Sequence, residues 1–135
     1  GTHKMELSLW AKGEITPKGN KWYQEAALSM GETLAMASEK QGYTLTDRAT
    51  YLARKDTLDL AIVSEGDPLL LNLYHVMEVS KTKFKTVNQK GAKAWADWLL
   101  SAEAQALIGK FGVDKYGAPL FFPDAGKTEA EFAPK

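Results

Sequence analysis

Apolar residues recur along the chain at two spacings, three-to-four and two, and this divides it into short helices and extended segments. Met5 and Leu9 stand four apart, and Leu7 and Trp10 three apart. That predicts a first helix which Thr2 can cap and Gly13 can end. Residues 16–20 include Pro17 and Gly19 and read as a loop, with a short helical turn over 21–27. Ser29 followed by Glu32 makes a capping box ahead of the apolar stripe Met30, Leu34 and Ala37, with Gly42 as the stop. Residues 43–45 form a strand candidate. Thr46 or Asp47 caps a third helix that buries Tyr51 and Leu52. Leu58, Leu60 and Ile62 then alternate with Asp59, Ala61 and Val63, and only Asp59 is polar. The pattern predicts a strand covered on both faces.

A turn over 64–68 leads into extended chain over 69–79, and residues 80–87 carry three lysines and read as an exposed loop. Trp95, Trp98 and Leu99 lie at i, i+3 and i+4, a helical stripe. Ser101 caps a further helix with Leu107, Ile108 and Phe111 on its buried side, and Gly112 closes it. Tryptophans at this spacing belong to a core more often than to a ligand site, so Trp95, Trp98, Leu99, Leu107 and Phe111 are expected to pack together. Pro119, Pro123 and Pro134 keep the end irregular. Helices alternating with short strands give an α/β class.

Composition removes several functions. With 135 residues, 44% hydrophobic and 25% charged, the chain can bury a core and is not expected to be disordered. Seventeen basic residues balance seventeen acidic ones, so there is no basic excess of the kind a nucleic-acid surface needs. There is no cysteine, hence no disulfide, thiolate metal site or cysteine nucleophile. His3 and His75 have no second ligand at metal spacing. No phosphate-binding glycine loop and no Gly-x-Ser-x-Gly elbow is present, so nothing supports an enzyme, a catalytic residue, a metal or a cofactor. What remains is a set of hydroxyls at predicted helix starts: Thr2 before one helix, Thr44 and Thr46 before another, with Arg48 in the latter's first turn. Helix starts offer unpaired N–H groups, hydroxyls donate without adding charge, and a guanidinium adds a charge-assisted contact, so together they suit a small anion. The same threonines also serve as plain caps, and Arg48 as a surface cation.

Several stretches resemble the tungstate-binding proteins of bacterial ABC importers. They are Gly1-Thr2-His3-Lys4 ahead of the first helix; Lys21-Trp22-Tyr23-Gln24-Glu25-Ala26 with Met30-Gly31-Glu32-Thr33-Leu34; Thr44-Leu45-Thr46-Asp47-Arg48-Ala49-Thr50-Tyr51-Leu52; Leu69-Leu70-Leu71-Asn72; and Pro119-Leu120-Phe121-Phe122-Pro123-Asp124. Trp98-Leu99-Leu100-Ser101-Ala102-Glu103-Ala104-Gln105 is similar to the C-terminal helix pair of periplasmic binding proteins in general. The likeness covers residues 1–125 and is most specific over 44–52.

It implies a two-lobe, type II periplasmic-binding fold whose cleft closes on its ligand. On this resemblance, residues 1–72 are the ligand-binding second lobe. Residues 73–125 are the hinge return strand and the C-terminal helices of the first lobe, and 126–135 a tail. The N-terminal half of the family's fold and its signal or lipoprotein segment are expected to be missing, as for a processed product or fragment. The implied function is extracytoplasmic capture of tungstate, or the less preferred molybdate, for a permease. Thr2 matches a threonine that holds the oxyanion, Thr46, Asp47 and Arg48 match a segment lining the same lobe, and Ser64 falls at a strand end that reaches the cleft. The alternative is a ligand-sensing effector domain of a transcription regulator with the same fold. A fragment with uncovered apolar faces is also expected to self-associate.

Overall fold

The computed structural model describes residues 1–128 and 131. Its helices are α1 (Thr2–Lys12), α2 (Met30–Glu39), α3 (Arg48–Arg54), α4 (Gln89–Leu99), α5 (Ala102–Lys110) and α6 (Val113–Tyr116), with 3₁₀ turns at Lys55–Thr57 and Pro68–Leu70. The chain divides into two compact units, Gly1–Glu65 and Gly66–Lys135.

In the first unit, local chemistry sets the helix ends. The Ser29 amide and hydroxyl both donate to the Glu32 carboxylate, at 2.9 and 2.6 Å, so the capping box forms as its sequence predicts. The far end of α2 closes differently. Gln41, at φ 51°, takes the left-handed position, and Gly42 follows it, donating to the Ala37 carbonyl at 2.8 Å. Gln41 also donates to the Ser38 carbonyl, completing a two-bond Schellman closure with glycine one place later than expected. Of the two candidates for the α3 cap, Asp47 holds the position, its carboxylate accepting from the Thr50 amide at 2.6 Å. Helix α1 starts one residue earlier than predicted: Gly1 is its cap, Thr2 is already helical, and the Met5 amide donates to the Gly1 carbonyl. Helices α2 and α3 pack together, with Leu34, Ala37 and Leu52 as the buried apolar residues.

In the second unit α4 and α5 pack together, and their buried residues are Ala96 and Ala104. Asn88 caps α4 and Ser101 caps α5, each accepting from a backbone amide three residues on. Gly112 and Gly117 bracket α6 at φ 90° and 73°, a conformation glycine reaches without a Cβ penalty. The irregular segment beyond is fastened by one side chain. The Gln105 amide donates to the Leu99 carbonyl at 2.8 Å, while its oxygen accepts from the amides of Asp124 and Ala125 at 2.9 and 3.1 Å.

Two expectations fail. No strand forms among the described residues, so the α/β class is met only in its helices. Residues 58–63 carry no regular structure, and Ile62 and Val63 are exposed, because a strand acquires a ladder and two covered faces only from neighbouring strands. Of the expected cluster, Trp95, Trp98, Leu107 and Phe111 are exposed, from 38% at Trp98 to 59% at Phe111, and Leu99 is half-buried. The two indoles stack on each other with centroids 5.1 Å apart, and the small residues of α4 and α5 are buried instead. A stripe at helical spacing shows that one face is apolar; what covers that face is not encoded in the spacing.

Candidate functional site

The first unit gathers four of the five predicted site residues into two neighbouring strips. Thr46, Asp47 and Arg48 form the first. The Asp47 amide points to the Met30 sulfur at 3.3 Å, which ties the start of α3 to the start of α2. The Thr46 hydroxyl bonds the Asp47 carbonyl at 3.2 Å. Arg48, exposed in the first turn of α3, forms an ion pair with the Glu65 carboxylate. Ser64 is the residue before Glu65 and is exposed in irregular chain.

The second strip, residues 58–65, is held against the helices at two points. The Tyr51 hydroxyl donates to the Leu60 carbonyl at 3.0 Å, and the Asp59 amide donates to the Ser38 hydroxyl at 2.7 Å. The same strip ends at Glu65, which pairs with Arg48. One residue of the five is not joined to them. Among the described residues no hydrogen bond or ion pair links Thr2 to the Thr46–Arg48 strip, although both lie in the first unit.

The arrangement sorts the chemistry of these residues. A guanidinium carries five N–H donors, and Glu65 leaves most of those of Arg48 open. The carboxylate of Asp47 is committed to the helix cap, where it accepts from the Thr50 amide, and being anionic it would repel an anion. The Thr46 hydroxyl directs its proton to the Asp47 carbonyl, and Ser64 carries a neutral hydroxyl in the neighbouring strip.

The candidates do not include a second cluster at the base of α1. Glu6 accepts from the Trp10 indole N–H at 3.0 Å and stands 3.2 Å from His3 Nδ1. The Trp10 ring packs against Trp22 and Tyr23 at 5.6 and 6.5 Å between centroids. Partial burial pushes the Glu6 carboxyl up, but the hydrogen bonds from Trp10, His3 and Tyr23 outweigh it and leave the pKa below its ordinary value. Tyr23 moves up, through its own burial and then the Glu6 carboxylate beside it. The signal was present in the sequence as Glu6 and Trp10 at i and i+4, a pair that meets on one helix face. Among the described residues no group of three or more His, Cys, Asp or Glu stands close enough to hold a metal ion.

The sequence of residues 1–103 matches the family model described as a PBP superfamily domain. The chain belongs to the PBP superfamily. It is 50% identical over 127 residues to the tungstate-binding protein TupA of Peptoclostridium acidaminophilum, covering 94% of this chain and 44% of that protein. It is 38% identical over 137 aligned residues to a Haloferax volcanii protein provisionally named an ABC transporter anion-binding protein, covering 98% of this chain and 39% of that one. A crystal structure of a conserved, functionally unknown Vibrio parahaemolyticus protein superposes with a TM-score of 0.53 at 45% identity, over 82% of this chain and 47% of that one. The chain thus spans less than half the length of these PBP-superfamily relatives.

Proposed function

We propose that this chain is the second lobe and the returning C-terminal helices of a type II solute-binding protein that captures a tetrahedral oxyanion, tungstate or molybdate, for an ABC importer. The observation that carries the reading is the 50% identity, over 94% of the chain, with a protein named for binding tungstate. Residues 1–72 are the ligand lobe, 73–125 return to the first lobe and 126–135 are a tail. The chain acts by binding and not by catalysis.

In this reading Arg48 supplies a charge-assisted contact and Thr46 and Ser64 supply neutral donors. Asp47 fixes the start of α3, and Thr2, in the first turn of α1, contributes from the same lobe. The pinning of residues 58–65 to α2 and α3 supports it, because a preformed set of donors binds an anion without first being ordered. Delivery to a permease places the protein outside the cytoplasmic membrane. No helix among the described residues is long and apolar enough to cross one. The regulator reading draws no support from relatives whose names describe binding proteins.

The test is calorimetric titration of a protein of the relatives' full length that contains this sequence, with tungstate, molybdate and sulfate. Tight binding of the first two and weak binding of sulfate is expected. Arg48→Ala should weaken tungstate binding about 10- to 100-fold, the worth of a charge-assisted hydrogen bond at ~1.5–3 kcal/mol. Absence of heat with all three anions, or unchanged affinity in the Arg48 variant together with Thr46→Ala, would overturn the assignment.

A further inference from the structure

Residues 81–93 hold five lysines, Lys81, Lys83, Lys85, Lys90 and Lys93, and no carboxylate stands in the sequence between Glu78 and Asp97. The whole chain is neutral, and the nearest carboxylates, Glu78 and Asp97, flank this run and both act on Lys93. The turn bearing the first three lysines is ordered. The Phe84 amide donates to the Ser80 carbonyl at 3.0 Å, and the Ser80 and Thr82 hydroxyls lie 2.7 Å apart. Helix α4 follows at once, capped by Asn88, with Lys90 and Lys93 in its first turns. Lys81, Lys90 and Lys93 line a shallow hollow of about 470 Å³ together with Gln89 and Asp97.

Lys93 is neutralised by Asp97, with its Nζ at 2.8 and 2.9 Å from the two carboxylate oxygens. Among the described residues no carboxylate pairs with Lys81, Lys83, Lys85 or Lys90. Between Lys83 and Lys85 the Phe84 ring is 57% exposed. Like charges gathered on one turn repel, and an aromatic ring left in water among them gains nothing from burial. A partner that is both anionic and apolar relieves both.

We propose that this turn and the first turns of α4 form a docking surface for an anionic lipid bilayer. Lysine ammoniums are compact charges on flexible stems without the fork of arginine, which suits a fluid layer of phosphates better than one fixed carboxylate geometry. The Phe84 ring, carried between them, reaches the boundary of headgroups and acyl chains while the ammoniums stay among the phosphates. The open hollow holds Lys81, Lys90 and Lys93 beside one another at the same surface. The inference is independent of the oxyanion reading.

The test is co-sedimentation of the full chain with vesicles of phosphatidylcholine and phosphatidylglycerol at two to one, against phosphatidylcholine alone. Binding to the anionic vesicles should be at least about tenfold tighter and should fall as salt is raised, each lysine contributing up to about fivefold. The K81A/K83A/K85A triple variant should lose most of that preference, with its helical circular dichroism unchanged since the turn is exposed. Phe84→Ser should weaken binding to the vesicles and leave binding to polyglutamate unaltered. Equal binding to both vesicle types, or a triple variant that keeps the preference, overturns the proposal. So does polyglutamate binding as tight as the vesicles with Phe84→Ser silent in both, which would point to an acidic protein partner.

Discussion

Glu6 shows how a single half-buried helix position acquires a role through its neighbours. Its carboxylate accepts from the Trp10 indole and lies beside His3 and Tyr23, and these contacts hold its pKa below the ordinary 4.5 despite partial burial. A carboxyl whose folded pKa is depressed stabilises the fold above its unfolded value and loses that contribution as pH falls through the folded value. Glu6→Gln should therefore lower stability at neutral pH, with the difference from the parent vanishing below pH 4.5 as the parent carboxyl protonates. Urea melts of both proteins across pH 3–7 check this; a difference that stayed constant with pH would show that charge plays no part. In an isotope-edited carboxyl titration, Trp10→Phe should move the Glu6 pKa back up toward 4.5, since it removes the strongest of the lowering contacts.

Among the elements, α2, α3 and α5 and their caps were legible because each rests on residues a few positions apart, whereas the Gly1 cap of α1, the Asn88 cap of α4 and the short α6 were not. Ser29 with Glu32, Ser101 before α5 and the cap before α3 needed no knowledge of the rest of the molecule. Asp47→Ala should cost about 1 kcal/mol of stability in denaturant melts, and Asp47→Asn much less, because the amide oxygen can still accept from the Thr50 N–H. The strand pattern of residues 58–63 was legible as alternation but not as a ladder, since its partners are not local and the pattern does not name them. The Gln105 clamp was not legible at all. Its three bonds join residues 19 and 20 positions apart and one backbone carbonyl six back, and a glutamine on a helix announces none of them. Gln105→Ala should leave α5 intact while the Asp124 and Ala125 amides lose protection in hydrogen exchange. Unchanged protection there would mean that the tail is held by Leu120, whose amide donates to the Phe111 carbonyl at 2.9 Å. For the site the sequence named residues rather than geometry: Thr46, Asp47 and Arg48 are consecutive at the start of α3, but Glu65, which pairs with Arg48, was read only as part of a turn.

At the scale of the molecule, each unit buries very little. The buried apolar residues are Leu34, Ala37 and Leu52 in one and Ala96 and Ala104 in the other, while Trp95, Trp98, Phe111 and Phe122 are exposed. Apolar faces of this kind favour association. The chain by itself should show a concentration-dependent mass in sedimentation velocity, and a sharp monomer at all concentrations would argue against it. In the proposed two-lobe reading, a lone ligand lobe supplies donors to only part of a dianion's surface, the remainder staying in water where its contacts are screened. In calorimetry this chain should bind tungstate far more weakly than a protein of its relatives' length; equal affinity would refute the two-lobe reading. The stacked pair Trp95–Trp98, with centroids 5.1 Å apart and planes at 29°, makes these questions optically accessible. Indole emission moves to shorter wavelength as water leaves the ring, and two indoles this close couple in near-ultraviolet circular dichroism. Whatever settles on that face of α4, a second copy or the remaining lobe, would therefore report its arrival by colour, with no label attached.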